Sequence, residues 1–112
     1  MMEVLIILLL VWIHFIADFI LQDDYVAINK AKDNTVLVFH TMVYGLCFAW
    51  FGPLFMLITM VSHGMVDFVT SRGTSRLWSA NQRHWFFCLI GFDQALHMTV
   101  LILTYQFTRG LS

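Results

Sequence analysis

Val4–Leu21 reads VLIILLLVWIHFIADFIL, eighteen residues whose apolar run is broken only by His14 and Asp18. A helix rising about 1.5 Å per residue needs roughly 17–25 residues to cross a hydrocarbon core, so the stretch is long enough to span. It has neither the basic start nor the small-residue cleavage site of a signal peptide and reads as a retained span. Its two polar residues stand four apart, which puts both side chains on one face of a helix.

Three more apolar stretches follow: 36–51, 53–70 and 85–107. Gly52-Pro53 reads as a tight turn with Pro at a helix start, where its missing N–H costs nothing. The second and third stretches then form a helical hairpin; both arms are short for spans, and a re-entrant hairpin is the alternative. Gln22–Thr35 is polar and expected to be partly helical at the surface. Ser71–Arg83, SRGTSRLWSANQR, is rich in Gly and Ser and reads as a polar loop. The expected fold is all-α: one membrane domain over residues 1–112, an integral membrane four-helix bundle with spans at 4–21, 36–51, 53–70 and 85–107.

Composition agrees. Of 112 residues, 60% are apolar and 12% charged, against about 45–50% and about 25% in soluble domains. Mean hydropathy is +0.78. A chain this short has too little interior to hide that much apolar surface from water. A net charge of −1 excludes a basic nucleic-acid binder, and two cysteines exclude a disulfide scaffold. Cys47 and Cys88 lie in apolar stretches and read as buried packing residues. The partner implied is the lipid bilayer, with a homo-oligomer compatible. Lys30, Lys32, Arg72, Arg76 and Arg83 fall in the two polar loops, and only Arg109 falls on the opposite side. The positive-inside rule therefore places the loops in the cytoplasm and both termini on the non-cytoplasmic side of a cell (inner) membrane. Trp50 and Trp85 fall at span ends, as interface aromatics do.

The chemistry lies inside the spans. His14 and Asp18, His63 and Asp67, and Asp93 and His97 form three pairs at i, i+4, and the second span adds His40. Four of the five histidines and three of the seven acids are therefore placed in hydrocarbon, where ionisable groups are costly and face a cavity or one another. Counted from the span ends, all seven fall in the cytoplasmic half, so four helices bring their polar groups to one layer. Imidazole with carboxylate is a ligand set for zinc first, with iron or manganese as alternatives. The candidate metal ligands are His14, Asp18, His40, His63, Asp67, Asp93 and His97, enough for one or two ions. Asp18 and His40 are the catalytic candidates, with His40 or a spare aspartate as general base. Gln22 and Gln94 are candidates to support the ligands. Lys30 and Lys32 serve as topology charges or cover the mouth of the site; Arg72, Arg76 and Arg83 mark topology or hold lipid phosphates. His84 reads as a solvated interface residue.

The run HFIADFILQDDYVAINKAK from His14, then FH at 39–40, HGMVD at 63–67 and FDQALH at 92–97 resembles DUF3307, a family of small bacterial and phage membrane proteins of unknown function. The resemblance implies a four-helix membrane fold with the same histidine and aspartate positions, and no activity. More distantly, the histidine and aspartate usage is similar to that of inner-membrane metal-dependent hydrolases, without their additional Ser/Thr-flanked histidine motif.

Two functional classes follow. One is a membrane-embedded metal-dependent hydrolase acting on an ester or phosphoester at the cytoplasmic leaflet. The other is a small ion carrier or channel for a divalent metal or protons, built from the same residues. Beyond His97 the spans offer few polar groups, Tyr44, Thr59 and Thr99 among them, which favours a pocket closed at one end. A structural or interaction protein using the cluster only to hold helices together is the third alternative.

Overall fold

In the computed structural model the described residues are 2–109, and all regular structure among them is helical. Helix α1 (Met2–Phe15) runs straight into a π-helical turn, Ile16–Ile20, closed by the Leu21 N–H donating to the Ile16 carbonyl at 2.8 Å. The wider turn brings two consecutive residues, Ala17 and Asp18, into the interior; single π turns of this kind recur at functional sites. Helix α2 (Asp24–Asn29) starts at Asp23, whose carboxylate accepts from the Val26 N–H, and α3 (Asn34–Leu46) starts at Asp33, which accepts from Thr35. Both are aspartate N-caps, so the polar segment between the first two apolar stretches is part helical, as expected.

A 3-10 turn (Ala49–Phe51) leads to Gly52 at φ +99°, a conformation that favours glycine, and then to α4 (Pro53–Ser79) with Pro in its first turn. Asn81, at φ +61°, ends the connection to α5 (Arg83–Thr108). α4 packs along α5 and against α3, while α1 lies on α5.

Two expectations are corrected. Residues 71–83 are not a loop: α4 continues through Ser79. Ser71 is buried, Arg72 donates to the Phe68 carbonyl one turn back, and Gly73 sits where a Cβ would lie 2.7 Å from Leu89 Cδ2 on α5. The small residues that suggest a loop are here the ones that let two helices approach. Residues 36–51 are not one long helix either. α3 has 13 residues, roughly 20 Å of rise, and stops where Phe48 turns inward to complete burial and packs on Phe55. Three helices, Glu3–Ile20, Pro53–Ser79 and Arg83–Thr108, are long and apolar enough to cross a membrane.

Among the described residues the interior holds thirteen buried polar side chains against eight apolar ones, the reverse of a soluble domain. Leucine, phenylalanine and tryptophan cover the outside, including Leu8, Trp12, Phe39, Leu57 and Phe107. Cys88, expected to be buried, is on this exposed surface, and Cys47 is half-buried. His84 is exposed.

Candidate metal centre

All seven ionisable residues placed in the spans by the sequence are buried, none more than 8% exposed, and they meet in one cluster. α1 and its π turn bring His14 and Asp18, α3 brings His40, α4 brings His63 and Asp67, and α5 brings Asp93 and His97.

Within the cluster, four donor atoms converge most tightly. His40 Nε2 lies 3.0 Å from Asp18 Oδ1, 3.1 Å from His63 Nε2 and 3.4 Å from Asp67 Oδ2. His63 Nε2 lies 3.5 Å from Asp18 Oδ1 and 3.3 Å from Asp67 Oδ2. A tetrahedral zinc with bonds of about 2.0–2.1 Å separates its ligand atoms by about 3.3–3.4 Å. The five separations are close to that value, and all four donor atoms of Asp18, His40, His63 and Asp67 lie within 4.8 Å of one another, so the quartet could hold a metal ion. A second group, Asp18, Asp93 and His97, has donor atoms within 4.8 Å of one another. The two groups share Asp18. Asp67 also reaches across, with Oδ1 3.4 Å from His97 Nε2.

His14 stands apart. Its Nδ1 is 2.7 Å from the Tyr44 hydroxyl and its Nε2 is 2.7 Å from Gln94 Oε1. The Gln94 amide nitrogen donates to Asp93 Oδ2 at 2.9 Å and to Asp18 Oδ2 at 3.4 Å, so the amide oxygen is the end that faces His14. His14 then carries its proton on Nε2, and Nδ1 accepts from Tyr44. With both nitrogens hydrogen-bonded, His14 lies outside the two groups whose donor atoms are within 4.8 Å of one another. His40, expected as a general base, directs Nε2 into the quartet.

Supporting residues come partly from where the sequence pointed and partly not. Gln94 takes the supporting role expected of it. Gln22 does not; its Oε1 is buried without a partner. Lys30 covers the cluster, with Nζ 2.8 Å from Asp67 Oδ2. Thr70 donates to Asp93 Oδ1 at 2.6 Å. Tyr44 is the residue sequence reasoning placed outside the site. Its ring stacks on His63 at 3.7 Å between centroids, and His63 stacks in turn on His97 at 4.1 Å. The available signal was helical spacing: Tyr44 lies one turn beyond His40, and Thr70 continues the α4 stripe of Thr59, His63 and Asp67.

Charge balance bears on what the cluster holds. Three aspartates meet one lysine, leaving two negative charges when all three are ionised. Protons on the histidines or a divalent cation would neutralise them, and without one or the other, burial would be prohibitive.

Fold and site together define a class: an all-α protein with three membrane-length helices closed around a buried histidine–aspartate centre. The family described as "Protein of unknown function (DUF3307)" matches residues 4–112, and the chain belongs to it. No curated protein and no solved structure matches the chain.

Proposed function

We propose that the chain is an integral membrane protein that binds a divalent metal, zinc first, through Asp18, His40, His63 and Asp67, and that this site is the centre of a metal-dependent hydrolase. The observation that carries the reading is the quartet itself, four donors from three helical segments with five of their separations at 3.0–3.5 Å, close to those of a tetrahedral ion's ligands. A cation held there supplies Lewis acidity for attack of water on an ester or phosphoester. With His40 among the donors, the carboxylate left facing the adjoining pocket is Asp93. Hydrogen bonds from Thr70 and Gln94 orient it, and with one ion bound it would accept the proton. With two ions bound, Asp93 and His97, whose Nε2 lies 3.1 Å from Asp93 Oδ1, would instead hold the second ion with Asp18.

The carrier reading has less support. Beyond the cluster the core closes on Leu10, Phe48, Phe55 and Leu101, each at most 1% exposed, and the polar groups buried among them, Thr59, Thr104 and Thr108, are uncharged. The next carboxylate or cation in that direction is the Glu3–Arg109 pair where α1 begins and α5 ends. A relay needs ionisable groups to continue; a pocket closed at one end does not. The distribution of Lys and Arg supports placing the α2 end in the cytoplasm of a cell (inner) membrane.

Elemental analysis of the detergent-purified protein beside His63→Ala tests the reading. One or two equivalents of zinc, iron or manganese, lost in the variant, are expected. Folded, monodisperse and metal-free wild-type protein overturns it. In a background lacking Cys47 and Cys88, labelling of Ser75→Cys by an impermeant reagent from outside the cell overturns the orientation.

A further inference from the structure

A pocket of about 580 Å³ opens directly onto Asp18, Asp67, Asp93 and Gln94. Its remaining surface divides into three chemistries. Lys30 and Lys32, at the end of α2, supply positive charge; Ser71, Thr74 and Ser75 supply hydroxyls from α4; and Phe19, Ile28, Trp78 and Phe86 form apolar wall. Ser71 is 7% exposed, yet its hydroxyl has no hydrogen-bond partner, and neither does Gln22 Oε1 on the same pocket. Buried polar groups are rarely left unmet, so two of them on one cavity point to a ligand. The apolar wall is also half open: Phe19 is 48%, Ile28 61% and Trp78 50% exposed. The pocket is thus continuous with the outer surface of the helices, which faces lipid in a membrane.

We propose that this pocket takes up one phosphate-headed lipid sideways from the bilayer, its phosphate near Lys30, Lys32 and Ser71 and its chain along Phe19, Ile28 and Trp78. Lysine ammonium groups and hydroxyls are the usual partners of phosphate oxygens. Lys30 is paired with Asp67, but among the described residues Lys32 makes no ion pair, so its charge is available to an anionic head, and a divalent ion in the quartet would add to the attraction. As a substrate site this rests on the hydrolytic reading above; as a lipid site it stands on the pocket alone.

The test uses the full chain in phosphatidylcholine nanodiscs with Trp78 as its only tryptophan (Trp12, Trp50 and Trp85→Phe). Lipids with brominated chains, which quench tryptophan on contact, are titrated in as phosphatidic acid or as phosphatidylcholine. Saturable quenching by phosphatidic acid is expected, with at least about tenfold preference over phosphatidylcholine. Ser71→Val with Lys32→Ala should remove the preference while leaving the unfolding transition in place. Native mass spectrometry of the wild-type chain gives a readout free of tryptophan substitutions: a retained phosphate-headed lipid, absent from the double variant.

Equal quenching by both lipids overturns the proposal. So does quenching relieved by inorganic phosphate in a sample without lipid preference, which assigns the pocket to a soluble anion. Elemental analysis of the same samples keeps the two readings separate. Bound metal without lipid preference sinks the lipid site alone, whereas lipid preference in metal-free protein preserves it and sinks the hydrolase.

Discussion

At the end of the molecule where α1 begins and α5 ends, the interior is closed and uncharged, aromatic and aliphatic side chains with the hydroxyls of Thr59, Thr104 and Thr108. Phe48 and Phe55 sit 5.8 Å apart between ring centroids, Phe51 lies 5.0 Å from Phe55, and Leu10 and Leu101 complete the packing. At the α2 end, the same helices enclose the charged cluster and open into the 580 Å³ pocket. The difference follows from what covers α4 and α5 at each end. The first end has the aromatic turn after α3; the second has a six-residue helix, α2, which reaches the cluster through Lys30. The comparison teaches a division of labour. Close packing at one end fixes the helices against one another, and at the other the His40 and His63 nitrogens lie 3.0–3.5 Å from each other and from the Asp18 and Asp67 oxygens.

If the division holds, changes in the cluster should remove binding and changes in the aromatic end should remove stability. The largest expected effect is on metal content: His63→Ala or Asp67→Asn should abolish metal retention, measured against protein by elemental analysis. Full metal content in either variant would break the comparison at its functional end. Next is Phe55→Ala, expected to cost about 3–5 kcal/mol by opening a cavity, read in reversible unfolding in detergent micelles. The fraction that stays folded should keep its metal; loss of metal from fully folded protein would mean the aromatic end does more than hold the helices.

Much of this arrangement was legible from spacing alone. The pairs His14/Asp18, His63/Asp67 and Asp93/His97 mark the inward faces of three helices, because i, i+4 residues share a face whatever their neighbours are. Gly52-Pro53 was legible for the same local reason. Local sequence did not show how α1 is rotated against α3 and α5. That rotation gives His14 to Tyr44 and Gln94, while the π turn that continues α1 carries Asp18 into the quartet. Nor did composition show that Gly73 and Ser71 belong to a helix, because the gain from close helix contact appears only when α5 is alongside.

Tyr44→Phe sharpens the boundary between the two ends, since Tyr44 belongs to the apolar cluster and also touches the histidine–aspartate cluster. The ring stack on His63 survives the substitution, and only the hydroxyl bound to His14 is lost. Direct hydrogen-bond partners of metal ligands are worth about 10–100-fold in affinity, and the Tyr44 hydroxyl reaches Asp18 only through His14 and Gln94. A loss smaller than about tenfold is therefore expected, measured by chelator competition. Unchanged affinity would make His14 and Tyr44 a packing pair without influence on the donors.

The smallest effects separate the two glycines that let helices approach. A Cβ at Gly45 would lie 2.8 Å from Met60 Cβ, an atom fixed close to the α4 backbone. At Gly73 the obstacle is Leu89 Cδ2, the far end of a flexible side chain. Gly45→Ala must push α3 from α4 and should cost about 1–3 kcal/mol. Gly73→Ala needs only a rotamer change at Leu89, and alanine is favoured over glycine in a helix by about 1 kcal/mol. Its net effect should be a gain of about 0.5 kcal/mol in unfolding free energy, once the shift of Leu89 is set against the helix preference. A loss as large as that of Gly45→Ala would mean that α4 and α5 touch at Gly73 as rigidly as α3 and α4 touch at Gly45, and that the pocket end is as tightly determined as the aromatic end.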